Sequence, residues 1–297
     1  MPESRAVHLA GRSFLRVTGE DARTFLQGLI SNDVGKCRPE RAIWSAFLTP
    51  QGKFLFDFFL AEGEGHALWL ECEAARIEDF KKRLSMYKLR SKVAIELAPD
   101  WIAAAAIGRN ALGLLGLDAQ PGSCKPFAGG LAYVDPRLAE GGARLILPAS
   151  SGLQPLLALG FAEAPMAAWD THRIALGLPD GSRDLVPDRT LLLEAGFDEL
   201  QGVDFKKGCY MGQELTARTK YRGLIKKRLM PVAVEGPTPP QGAILSKNGQ
   251  EAGEMRSSVG GMGLAFLRLE LLDEPAPFEA EGGAKLTPLK PAWATWG

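Results

Sequence analysis

A thiol stands between two glycines in Lys206-Lys207-Gly208-Cys209-Tyr210-Met211-Gly212-Gln213-Glu214. Flanking glycines suit a tight turn whose backbone lies close to another part of the chain. The residues that follow, 213–222, read as a helix of about three turns. Glu214 and Arg218 stand at i,i+4 in the favourable order, and Gly223 suits a left-handed cap. The positive end of that helix and the ammonium groups of Lys206 and Lys207 all favour a thiolate. Cys209 is therefore expected to be the most nucleophilic of the four cysteines, solvent-reachable and with a lowered pKa. Cys37, Cys72 and Cys124 have no such setting and read as small buried hydrophobes of a reducing compartment. No CxxC occurs, and His8, His66 and His172 are equally scattered, so no metal site built from local ligand spacing is expected.

Charge frames this thiol. From Lys206 to Arg228 there are eight Lys/Arg residues against Glu214 alone, in a chain whose 35 basic and 35 acidic residues otherwise balance. Such a local excess asks for an anionic partner. The overall balance, with only Tyr210 and Tyr221 interleaved in the basic run, argues against nucleic acid. A second chemical candidate is Asp57, an acid inside the apolar run 54–60. It reads either as a ligand contact or as an edge-strand acid facing water.

The elements that must position these groups follow from periodicity. Residues 12–17 read as a strand, with Thr18 as the cap of a helix whose apolar face is Ala22, Phe25, Leu26, Leu29 and Ile30. Ser31-Asn32-Asp33 is a polar stop. Two apolar runs, 44–48 and 54–60, flank Thr49-Pro50-Gln51-Gly52-Lys53 and predict a hairpin. A strand at 66–72, an amphipathic helix through Ile77, Phe80, Leu84 and Tyr87, and a strand at 93–97 follow. Strands with interposed helices but no regular βαβ repeat indicate α+β lobes. Residues 118–130, rich in Pro and Gly, read as an inter-lobe connection. From Leu224 onward the texture changes to short apolar runs punctuated by Gly/Pro, with Asn248-Gly249 as the strongest hairpin signal. The expected division is 1–223 as α+β lobes and 224–297 as a small β-barrel. With no apolar leader and no run long enough to span a bilayer, a cytoplasmic, non-membrane protein is expected.

The segment Lys207-Gly-Cys-Tyr-Met-Gly-Gln-Glu214 resembles the signature of the YgfZ family, whose mitochondrial relatives serve late iron–sulfur assembly. The resemblance runs through nearly the whole chain. It includes Val17-Thr-Gly-Glu-Asp-Ala-Arg-Thr-Phe-Leu-Gln-Gly28, Phe47-Leu-Thr-Pro-Gln-Gly-Lys53, Leu89-Arg-Ser-Lys-Val93, Arg173-Ile-Ala-Leu-Gly-Leu-Pro179 and Gly261-Met-Gly-Leu-Ala265. It implies a three-lobed folate-binding ring, as in the glycine-cleavage T-protein, with a C-terminal β-barrel. It also implies tetrahydrofolate or another reduced folate as ligand, contacted by Asp57, Lys207, Tyr210, Gln213, Glu214 and Arg218. Partners would be iron–sulfur assembly factors or client [4Fe–4S] proteins, with Cys209 as the reactive group. The chain departs from the T-protein, however. One acid of an Asp pair is replaced at Phe56-Asp57, and a pterin-recognising glutamate is missing at Arg173-Ile174-Ala175. Both losses count against the alternative, a folate-dependent one-carbon transferase.

Overall fold

The computed structural model describes residues 4–223 and 225–296. The proposed boundary residue Leu224 and residues 1–3 of the N-terminal reading lie outside the described residues. Three sheets build the molecule. The first has five antiparallel strands in the order Ile43–Leu48, Phe54–Glu62, Leu68–Glu73, Arg12–Thr18 and Ala94–Leu97. Helices Ala22–Gln27 and Ile77–Met86 cover its outer face, where Phe25, Leu26, Phe47, Phe56, Phe58 and Phe80 pack together. The second has six strands, ordered Ala162–Ala164, Arg5–His8, Trp101–Ile107, Ala143–Pro148, Gly130–Val134 and Cys124–Phe127. Arg5–His8 lies in this second sheet, whereas Arg12–Thr18 lies in the first, so the chain's opening ties the two lobes together. The third sheet is a closed six-stranded barrel, from Lys227–Glu235 through Ala284–Pro288.

All nine residues of strand Phe54–Glu62 are buried, because its outer face meets the helices and its inner face meets the other lobes. That explains why the run lacks the polar alternation of a one-sided strand. The T49–K53 turn is a hairpin as its sequence predicts, with Thr49 N–H donating to Lys53 O at 2.8 Å. In the barrel, Asn248 (φ 51°) and Gly249 (φ 78°) form the two-residue turn between paired Lys247 and Gln250.

Two local readings need correction. Thr18 does not cap the first helix: the capping position is Asp21, which makes no cap bond and instead accepts from Lys92 N–H at 2.8 Å. Residues 118–130 are no connector, since Cys124–Phe127 is an edge strand paired with Gly130–Val134. The Gly/Pro content there marks a hairpin rather than a linker.

Candidate functional site: the cysteine loop and the ring centre

The cysteine loop is fastened to the end of the first helix and to the 49–53 turn. Lys207 Nζ donates to Ile30 O (2.5 Å) and Asn32 O (2.8 Å), and Gln27 Nε2 donates to Lys207 O (3.3 Å). Met211 N–H donates to Gly28 O at 3.1 Å. Asp204 accepts from Lys206 N–H (2.6 Å) and pairs with Lys36 (2.7 Å). Gly212 (φ 80°) presses on the turn so closely that a Cβ there would stand 2.4 Å from Thr49 O. Glycine is required at that position both by conformation and by contact. Helix Gln213–Arg222 then begins, and Gly223 closes it in the left-handed conformation (φ 61°).

This scaffold presents Cys209 to solvent, whereas Cys37, Cys72 and Cys124 are buried. Burial pushes each of those three thiols up to about 12, which removes their thiolate form near neutral pH. Tyr210 is buried, which pushes its hydroxyl up to about 12, and Gln213 Oε1 accepts from Tyr210 N–H at 3.1 Å. Both residues shape the loop. Glu214 and Arg218 are exposed and form no ion pair with each other among the described residues. The basic run is also less uniform than its sequence suggests. Lys220 pairs with Asp198 (2.8 Å), Lys227 with Glu194 (3.9 Å) and Arg228 with Glu199 (3.0 Å). Lys207, bonded to carbonyls, is lowered to about 8 by burial. The acids that compensate this run lie just upstream of it, on a segment the charge count left out.

Asp57 is far from being an edge acid facing water. It is 3% exposed, and Trp44 Nε1 donates to its Oδ2 at 3.1 Å. Burial outweighs the attraction of Arg12 and raises its pKa. Around it the ring centre holds a network of buried charge. Glu71 accepts from Arg12 Nε (3.2 Å), Tyr133 OH (2.8 Å) and Arg144, whose guanidinium lies 3.9 Å from the Phe59 ring centroid. Asp135 is gripped by Arg137 at 2.9 and 2.7 Å, and Arg137 also donates to Pro179 O. A third cluster joins the lobes to the barrel. Arg173 donates to Asp170 (2.7 Å), Asp184 (2.7 Å) and the barrel's Ser257 Oγ (2.9 Å). Arg173 thus stands where the T-protein resemblance leads one to look for a pterin glutamate, and its role here is structural.

A reduced folate fits this arrangement poorly. Asp57 sits deep among interlocked side chains, while Lys207, Tyr210, Gln213, Glu214 and Arg218 belong to the surface loop and helix. A surface cleft of about 1090 Å³, lined by Lys36, Arg38, Arg41 and Lys125 and also by Asp33, Glu40 and Asp118, adjoins a throat of about 30 Å³ on Asn32 and Trp44. That throat has room for little more than a water, and Trp44 stands between it and Asp57. The sequence reading missed Gln27, Asn32, Ser31 and Asp204, which hold the loop. For Ser31 and Asn32 the signal was a polar trio ending an apolar helix, and both prove buried.

Residues 226–296 match the family of the CAF17 C-terminal β-barrel domain. The chain is 35% identical to the human mitochondrial iron–sulfur cluster assembly factor IBA57, covering 94% of this chain and 81% of the relative. The chain belongs to the IBA57 family. The Mus musculus IBA57 is 36% identical over 90% of this chain, and an Aspergillus clavatus IBA57 homolog is 30% identical over 92%. The fold matches the crystal structure of glycine cleavage system aminomethyltransferase T from Bartonella henselae, with TM-score 0.77, 16% identity and 97% of this chain covered. At that identity the likeness establishes the T-protein fold, with mixed α/β lobes and a closed barrel. The family reading thus moves from YgfZ to IBA57, within the same architecture. The expectation of a cytoplasmic protein is overturned, because these IBA57 relatives are named as mitochondrial.

Proposed function

We propose that this IBA57-family chain is an accessory factor for assembling or repairing [4Fe–4S] proteins, acting through Cys209. The observation that carries the reading is the exposure of Cys209 alone among the four cysteines, on a loop anchored by Lys207, Gln27 and Gly212. Family kinship with IBA57 factors supplies the context. Among the described residues no group of three or more His, Cys, Asp or Glu is arranged to hold a metal ion. One thiolate supplies one ligand to iron, so the remaining ligands of any iron held at Cys209 come from an assembly partner or client. Lys206, Arg218, Arg222 and Lys226, which form no ion pair among the described residues, give that partner a cationic surface to meet. A deletion strain complemented with wild type or Cys209→Ala, read out by [4Fe–4S] enzyme activities, tests this. Restored activities with the alanine variant would remove Cys209 from the mechanism.

Tetrahydrofolate enters this proposal as a bound ligand only, with no chemical step assigned to it. The T-protein fold and the room in the cleft beside Arg41 favour it, and the narrow throat at Trp44 opposes it. Thermal unfolding with tetrahydrofolate mono- and polyglutamates decides the point, since a ligand at 100 times its Kd stabilises by about 2.7 kcal/mol. Unchanged unfolding at saturating concentrations of both forms would dismiss folate. A one-carbon transferase is not favoured, because Asp57 is locked to Trp44 and Arg173 to Asp184.

A further inference from the structure

A second cavity, of about 850 Å³, opens between the first two sheets. It lies at Glu62 and Gly63, beyond the far end of strand Phe54–Glu62 from the cysteine loop, so roughly 27 Å of extended chain separates the two places. Its size falls in the range of small-molecule sites, roughly 300–1,000 Å³. Trp69 and Trp101 form one corner, with ring centroids 4.8 Å apart and planes inclined at 60°. Phe127, Leu131 and Ile146 extend the apolar wall.

The corner is shaped around these indoles. A Cβ on Gly63 would stand 2.6 Å from Trp69 Nε1, and one on Gly130 would stand 3.1 Å from Trp101 Cζ3 and closer still to Ile146 O. Trp69 is 8% exposed, yet its N–H meets no protein acceptor among the described residues and is not sealed from solvent. Three acids at the rim, Glu64, Glu96 and Asp100, form no ion pair among the described residues. Among the described residues Arg16 is the one cation lining the cavity, held in register opposite both Trp69 and Glu96. An aromatic corner under an acidic rim suits a cation carried on an apolar body, which the ring quadrupole and the carboxylates both attract. The same acid excess repels the carboxylate tail of a folate, which sets this cavity apart from the folate question.

The geometry points to a binding site here for a ligand that carries a protonated or quaternary amine on an apolar body. The inference is independent of the role given to Cys209. Intrinsic tryptophan fluorescence of the full chain, titrated with benzyltrimethylammonium, its neutral carbon isostere and phenylacetate, tests it. The expected result is saturable binding of the ammonium probe at least tenfold tighter than either comparator. The double variant Glu96→Gln/Asp100→Asn alters only exposed side chains and should weaken ammonium binding several-fold while leaving the thermal melt in place. Trp101→Leu should abolish it. Equal or tighter binding of phenylacetate, no effect of the double variant, or no saturable response to the ammonium probe in a folded chain would each overturn the assignment.

Discussion

At the ring centre, Glu71 is 1% exposed and its partners Arg12, Tyr133 and Arg144 lie 59, 62 and 73 residues away in the chain. At the surface, Cys209 sits between glycines and lysines that are its immediate neighbours, with the thiol open to solvent. Both regions are rich in charge, but charge means different things in them. In the centre a carboxylate taken out of water must be matched by guanidinium groups, or it destabilises the fold. At the loop, water screens the exposed Lys206, whose effect on stability is small, while Lys207 turns inward to backbone carbonyls. The comparison assigns stability to the buried network and reactivity to the exposed loop.

The most severe way to break that division is to unbalance the centre. Glu71→Ala leaves Arg12 and Arg144 buried without their shared carboxylate and should cost about 3–5 kcal/mol in urea unfolding. A loss below about 1 kcal/mol would mean that water reaches the network.

The junction with the barrel is next in size. Ser257→Ala removes the hydroxyl that accepts from Arg173 and bonds Asp184 Oδ1 at 2.5 Å. A cost of about 1–2 kcal/mol is expected, together with faster protease cleavage between the lobes and the barrel. Unchanged cleavage would argue that the 224–297 segment is not a separable lobe.

The pH response separates the buried acids themselves. Glu71 and Asp135 are pushed up by burial but pulled down further by Arg144 and Arg12, and by Arg137, so both end below their ordinary values. Their stabilisation is present above the unfolded carboxylate values of about 4 and is lost as pH falls below them. Asp57 has the opposite sign. Its raised pKa disfavours the folded state once pH climbs past the unfolded value of about 4. Asp57→Asn should therefore raise stability at neutral pH, with the gain vanishing in acid. A constant difference from pH 3 to pH 7 would contradict the burial argument.

The smallest stability effect belongs to the loop. Cys209→Ser should change unfolding by no more than about 0.5 kcal/mol. In the native wild type, Cys209 should alkylate with iodoacetamide well before Cys37, Cys72 or Cys124, by mass-spectrometric mapping near neutral pH. Faster labelling of any buried cysteine would undo the contrast between the two regions.

Local signals carried much of the fold and little of the centre. Helix Gln213–Arg222, the 49–53 turn and the Asn248-Gly249 hairpin were readable because each depends on residues within a few positions of one another. The same locality misled at Thr18, where a capping residue was on offer but the chain started its helix three residues later. It misled again at Glu214 and Arg218, which share a helix but form no ion pair among the described residues. Counting charges from 206 to 228 overstated the basic patch, because Glu194, Asp198 and Glu199 fold back onto Lys227, Lys220 and Arg228.

What the sequence alone determined is the presence of a glycine-bracketed thiol before a helix, the α+β character of the lobes and a β-rich C-terminal end. Backbone conformation, periodicity and turn chemistry are short-range properties, so they can be read along the chain. Only the tertiary structure decided that Lys207 anchors a loop, that Asp57 is sealed behind Trp44, and that Arg173 ties the lobes to the barrel. Those outcomes depend on desolvation and on partners up to 180 residues distant. A side chain's type fixes what it can bond, and packing fixes whether water or another residue is there to bond with.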